Sequence, residues 1–179
     1  MTKHRELKEK ILNQEIFTLI CEKCGNKTII PYPMLYRDEE LGVLINICQS
    51  PEDAISYRFP VDAPNFQDIA RNHELRTVVG CNGLCEKIRI FDAGLHELAI
   101  AYLKKYFHNH IDDVKNVFFE KLDDDILHFT LFLGDSSVKP VRIRKASYDA
   151  AVDYVKVLNA EKCLNSYFVD INLFDYLKK

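Results

Sequence analysis

Tryptophan is absent from the 179 residues, and glycine and proline number only six each. So few breakers exclude a collagen-like or low-complexity chain and leave room for regular elements. No apolar run approaches the roughly 20 residues of a membrane-spanning helix. The start, Met1-Thr2-Lys3-His4-Arg5-Glu6-Leu7-Lys8-Glu9-Lys10, has basic residues without an apolar stretch behind them, so it does not read as a secretory signal. A surplus of positive charge is missing as well: 24 Lys and Arg stand against 27 Asp and Glu, a net of −3. Non-specific nucleic-acid binding needs a concentrated positive field, so that class is disfavoured. The expectation is a cytoplasmic chain with reduced thiols, whose six cysteines are core residues or metal ligands rather than a disulfide framework.

What is present is ordinary globular composition, 47% apolar and 28% charged, enough to bury a core without staples. Residues 3–15 read as a helix, with Leu7, Ile11 and Leu12 on one face. Phe17–Cys21 and Lys27–Pro31 read as a hairpin, closed by Pro31-Tyr32-Pro33 because neither proline can donate to a ladder. Met34–Glu40 reads as a polar connection, and Gly42–Cys48 as a third strand beside the hairpin. Ser50–Pro64 holds three prolines and reads as a surface loop and hinge. Residues 66–72 suggest a short helix and Leu75–Val79 an extended run. A helix capped by Asn82 then runs to Asp92, and after Gly94 a longer one carries Leu95, Leu98, Ala99, Tyr102, Leu103, Tyr106 and Phe107 at helical spacing.

Beyond His110 the pattern turns to strands over Val114–Lys121, Ile126–Leu133 and Val138–Arg144. A helix capped by Ser147 follows, then a strand over Tyr167–Ile171 and a helical turn over Leu173–Leu177. Along Ile126–Leu133 the apolar residues are nearly continuous, as in a central strand. The fold class is α+β: an N-terminal helix and ribbon-like hairpin, central helices, and a C-terminal antiparallel sheet with one or two helices. The expected organisation is 1–109 (hairpin module 16–48, loop 50–64, helices 82–107) followed by 110–179.

One motif carries a mechanism. In Cys21-Glu22-Lys23-Cys24-Gly25 a tight turn holds two thiols at the spacing of half a tetrahedral zinc site, and Gly25 permits the conformation that closes it. A thioredoxin-like pair would need a long helix starting at the motif, whereas here Gly25-Asn26 and a strand follow. Bare thiols on a hairpin tip are the other alternative. Cys81 and Cys85 stand four apart and are possible additional ligands, although the turn Gly80-Cys81-Asn82-Gly83 is expected to part Cys81 from the helix after it. Cys48 and Cys163 read as small core residues. His108 and His110 end the strongest helix, where an imidazole complements the dipole. Asp123-Asp124-Asp125 reads as a solvated turn, and Arg142, Arg144 and Lys145 as a blunted sheet edge.

Several of these stretches, in this order, resemble the bacterial CpXC-domain family, named for paired Cys-Pro-x-Cys motifs. They are Glu6-Leu7-Lys8-Glu9-Lys10-Ile11-Leu12, Cys21-Glu22-Lys23-Cys24-Gly25, Tyr32-Pro33-Met34-Leu35-Tyr36-Arg37-Asp38, Leu75-Arg76-Thr77-Val78 and Glu86-Lys87-Ile88-Arg89-Ile90-Phe91-Asp92-Ala93-Gly94-Leu95, covering roughly residues 5–107. The resemblance implies a zinc ribbon built from two knuckles. Only Cys21 and Cys24 carry over, with Glu22 where the family usually has proline. The family's other Cys-x-x-Cys precedes the first helix, and this chain begins at that helix. Truncation, degeneration of the site, or a pair supplied by each of two chains would account for the difference.

The reading that follows is a non-catalytic zinc-ribbon-type binding or structural module with an incomplete metal site, acting on a protein partner or as a homodimer, away from membranes. The alternative is a small-molecule-binding protein or enzyme with a pocket between the halves, for which Tyr32, Tyr36, Asp38 and Arg76 are the candidate residues. Buried tyrosines with satisfied hydroxyls would explain those residues equally well. Nucleic-acid binding is a weaker third reading, against the acidic balance.

Overall fold

The computed structural model describes residues 2–30, 32–158, 167–169 and 174. It is α+β, as the sequence predicts. Two compact units divide the chain, Met1–Ile88 and Arg89–Lys179. The division falls inside a helix, and the long helix assigned from sequence to the N-terminal part lies in the second unit.

In the first unit, helix α1 spans Thr2–Leu12 and stops short of residue 15 because Gln14 turns left-handed at φ 58°. Ile11 on its inner face is fully buried. A 3₁₀ turn over Glu15–Phe17 leads into β1 (Thr18–Ile20), which pairs antiparallel with β2 (Lys27–Ile29) as a two-stranded sheet of its own. The expectation that Gly42–Cys48 lies beside this hairpin is corrected. That strand, β4 (Val43–Cys48), pairs instead with β3 (Leu35–Asp38) antiparallel and with β5 (Glu74–Val79) parallel. The stretch read as a polar connection supplies β3, whose only buried residue is Tyr36. As the middle strand of three, β4 is apolar at five of its six positions, which is what burial on both faces requires.

A parallel pair needs a crossover, and residues 49–73 provide it. Within them the expected loop is corrected to include a helix, α2 (Pro51–Ser56): the Ser50 hydroxyl accepts the Asp53 N–H at 3.1 Å and Pro51 occupies the first turn. There the ring's fixed φ helps the helix and the missing N–H costs nothing. The buried Thr77 hydroxyl donates to the Ala54 carbonyl at 3.0 Å, tying α2 to β5. A short helix α3 (Gln67–Asn72) precedes β5, and α4 (Gly80–Asp92) follows it directly. Gly80 makes that corner at φ 66°, so the helix begins before Cys81 rather than after it, correcting the expected separation.

In the second unit, α5 (Glu97–His110) precedes the antiparallel meander β6 (Val114–Asp123), β7 (Ile126–Leu133) and β8 (Val138–Arg144), and α6 (Lys145–Val157) closes the described run. Asp124 and Asp125 both have positive φ, the requirement of a two-residue hairpin turn that matches strand twist. Central β7 sends Leu127, Phe129 and Leu131 inward, where they pack with Val117 and Phe119 of β6, Phe107 of α5, and Tyr148 and Ala151 of α6. The Tyr148 hydroxyl accepts the His96 N–H at 2.7 Å, satisfying a backbone donor at the start of α5. Most of the expected elements over Tyr167–Ile171 and Leu173–Leu177, and Cys163, lie outside the described residues; Phe174 is buried beside Leu98 and Val155. Among the described residues no helix is long and apolar enough to cross a membrane.

Candidate metal centre

The β1–β2 hairpin ends in the Cys21–Gly25 turn, and backbone bonds fix its shape. Gly25 N–H donates to the Cys21 carbonyl at 2.8 Å, and Cys21 N–H donates to the Asn26 carbonyl at 2.9 Å. Gly25 closes the loop at φ 70°, a region that a side chain makes costly. The Cys24 N–H, then the Lys23 N–H, then the Cys24 thiol hydrogen-bond to Cys21 and hold its pKa below the usual thiol value, outweighing a small desolvation. Both cysteines are free and exposed at the end of the hairpin. Donor type and spacing fit two of the four positions around a tetrahedral thiophilic ion, and amide donors around a thiolate are what such a ligand uses to spread its charge.

The possible additional ligands are elsewhere. Cys81 and Cys85 are buried on α4, and the Cys85 thiol donates to the Ile11 carbonyl at 3.2 Å. Among the described residues no group of three or more His, Cys, Asp or Glu side chains is gathered as a metal cluster. A closed site of Cys21, Cys24, Cys81 and Cys85 is thus not what the fold assembles, because the second pair is committed to the core of the unit. Cys48 is also buried, accepting from the Asn46 amide at 3.3 Å, and burial pushes its thiol up.

The four candidate pocket residues part company. Tyr32 stays with the hairpin, its hydroxyl donating to the Ile16 carbonyl at 3.3 Å and its ring tilted on Phe17. Tyr36 and Arg76 flank Ile45 in one cross-strand row, and Asp38 and Glu74 flank Val43 in the next, so all four polar side chains share a sheet face. Asp38 is the hub: Tyr36 donates to it at 2.7 Å, the Glu40 and Leu41 amides at 3.0 Å, and Lys8 of α1 approaches at 3.5 Å. Burial alone would raise the Asp38 pKa, but the tyrosine hydroxyl, the Leu41 amide and the Lys8 charge bring it below the usual carboxylate value. Arg76 donates to the Leu75 carbonyl at 2.8 Å and pairs with Glu74 at 3.1 Å. Among the described residues these groups hydrogen-bond to each other and to backbone, the pattern of a structural network. His110 likewise acts locally, bonded to the Tyr106 carbonyl at 2.8 Å and stacked on its ring.

One feature escaped the sequence reading. Leu19, Ile20, Ile29 and Ile30, read as ordinary strand residues, are exposed on the hairpin. Among the described residues β1 and β2 are three residues long with no third strand to cover them, which the expected placement of Gly42–Cys48 beside the hairpin concealed. Among known proteins, a model of the CpXC protein family matches residues 1–104. No curated protein and no solved structure matches the chain.

Proposed function

The chain belongs to the CpXC family, and from that premise we propose that its first unit is a non-catalytic zinc-ribbon-type binding module whose hairpin tip holds half of a thiolate metal site. The observation that carries this reading is the closed, exposed turn that presents Cys21 and Cys24 together at the end of the hairpin, fixed by the Gly25 N–H to Cys21 carbonyl bond and the left-handed Gly25. An exposed pair of thiols at this spacing serves no core packing, whereas a tetrahedral thiolate site uses it. Zinc, when bound, would fix the turn and the apolar side chains behind it for a protein partner. A redox role fits less well, since strand β2 rather than a helix follows the motif. The thiols need a reducing setting, and a cytoplasmic one is part of the proposal.

Equilibrium dialysis of the reduced full chain against zinc tests the reading. The unaltered protein should retain zinc, and Cys24→Ser should weaken retention at least about tenfold by removing one thiolate. Equal retention by the two would overturn it.

A further inference from the structure

We propose that two copies of this chain meet at their hairpin tips and share one thiophilic divalent ion, zinc(II) in the first place, with Cys21 and Cys24 of each copy as its ligands. This rests on the metal-knuckle reading and adds the source of the missing ligands.

Ligand arithmetic is the first argument. A structural zinc site closes with four donors, and the described residues gather only two at this point. A two-fold axis through the ion turns one exposed pair into a complete tetrahedral set, in the isologous arrangement most common among homo-oligomers. Access is the second. Residues 19–30 are exposed throughout, and among the described residues the hairpin has no third strand, so a second tip can approach.

The third argument is independent of the sulfurs. Directly behind the tip, Leu19, Ile20 and Ile29 are 60%, 55% and 51% exposed. The register sets Ile29 opposite Thr18 and Leu19 opposite Thr28, so apolar side chains emerge on both faces of the same small sheet. A two-stranded hairpin with so much apolar surface in water is marginal alone, and a symmetric copy would cover part of that surface. Charge agrees. Each of the four thiols gives its proton to solvent as its bond to the ion forms, so the centre carries a net charge of about −2. Lys23 and Lys27 of both copies lie close in sequence to that charge, and Glu22-Lys23 is self-complementary when set against its own two-fold image.

Sedimentation of the reduced full chain, alone, with zinc and with excess EDTA, combined with metal analysis of the peak, decides the matter. The expected result is a dimer carrying half an equivalent of zinc per chain that reverts to monomer in EDTA. Cys21→Ser/Cys24→Ser should stay monomeric in zinc with an unchanged circular dichroism spectrum, because the tip is outside the core. A monomer carrying one zinc per chain would overturn the shared site while leaving the knuckle reading standing. A monomer without zinc would overturn both. A dimer unaffected by EDTA, or formed equally by the double variant, would also overturn the shared site.

Discussion

Asp38→Asn isolates the charge at the centre of the first unit with little change in shape. Asp38 receives the Tyr36 hydroxyl at 2.7 Å and two turn amides at 3.0 Å, with the Lys8 ammonium at 3.5 Å. Bonds to a charged acceptor each contribute roughly 1.5–3 kcal/mol, and a partly exposed ion pair at most about 1. An asparagine keeps one acceptor oxygen in place and loses the charge assistance and the pull on Lys8. The expected cost is therefore about 2 kcal/mol near neutral pH. The pH dependence gives the sharper check. Asp38 titrates below its ordinary value of 3.8 in the folded state, so its stabilisation is complete above that value and is lost as pH falls through the folded one. Urea midpoints of the two proteins, read by far-ultraviolet circular dichroism, should differ by a constant amount down to about pH 5 and converge below it. A gap that keeps its full size in strong acid, or no gap at neutrality, would refute the hub role of Asp38.

Other perturbations have separate signatures. Ser50→Ala removes the cap on α2 and should cost about 1 kcal/mol in a urea titration. Phe119→Ala empties a fully buried position edge-on to Phe129, and a loss of roughly 3–5 kcal/mol is expected, with weakened near-ultraviolet dichroism from the aromatic core. Brief iodoacetamide treatment followed by peptide mass spectrometry should label Cys21 and Cys24 well ahead of Cys48, Cys81 and Cys85. The first two are exposed, with Cys21 held toward its thiolate, and the others are buried.

How much of this the sequence discloses depends on the range of the forces involved. The C-terminal meander is legible because Asp123-Asp124-Asp125 marks its first corner and the nearly continuous apolar run over Ile126–Leu133 marks its central strand. The tight turn over Cys21–Gly25 is legible because its backbone requirement, a glycine at φ 70°, falls inside five residues. By contrast, the pairing of β4 with β5 joins Val43 to Glu74 across a long crossover, and nothing local to either strand names the other. Strand β3 reads as polar because Arg37 and Asp38 hide the one inward tyrosine. Around α2 the three prolines of Ser50–Pro64 look like breakers, although Pro51 sits where a helix welcomes one, one residue after the serine that caps it. The committed state of Cys85 is equally invisible, since its partner is a carbonyl of α1.

The central claim is that the hairpin tip grips a metal ion through sulfur, and cobalt(II) reports on that directly. Titrated into the reduced, zinc-free full chain, cobalt should produce sulfur-to-metal charge-transfer absorption in the near ultraviolet and the intense visible bands of a tetrahedral thiolate site. Both should vanish in Cys21→Ser/Cys24→Ser. The weak spectrum of hydrated cobalt, identical for the two proteins, would contradict the account.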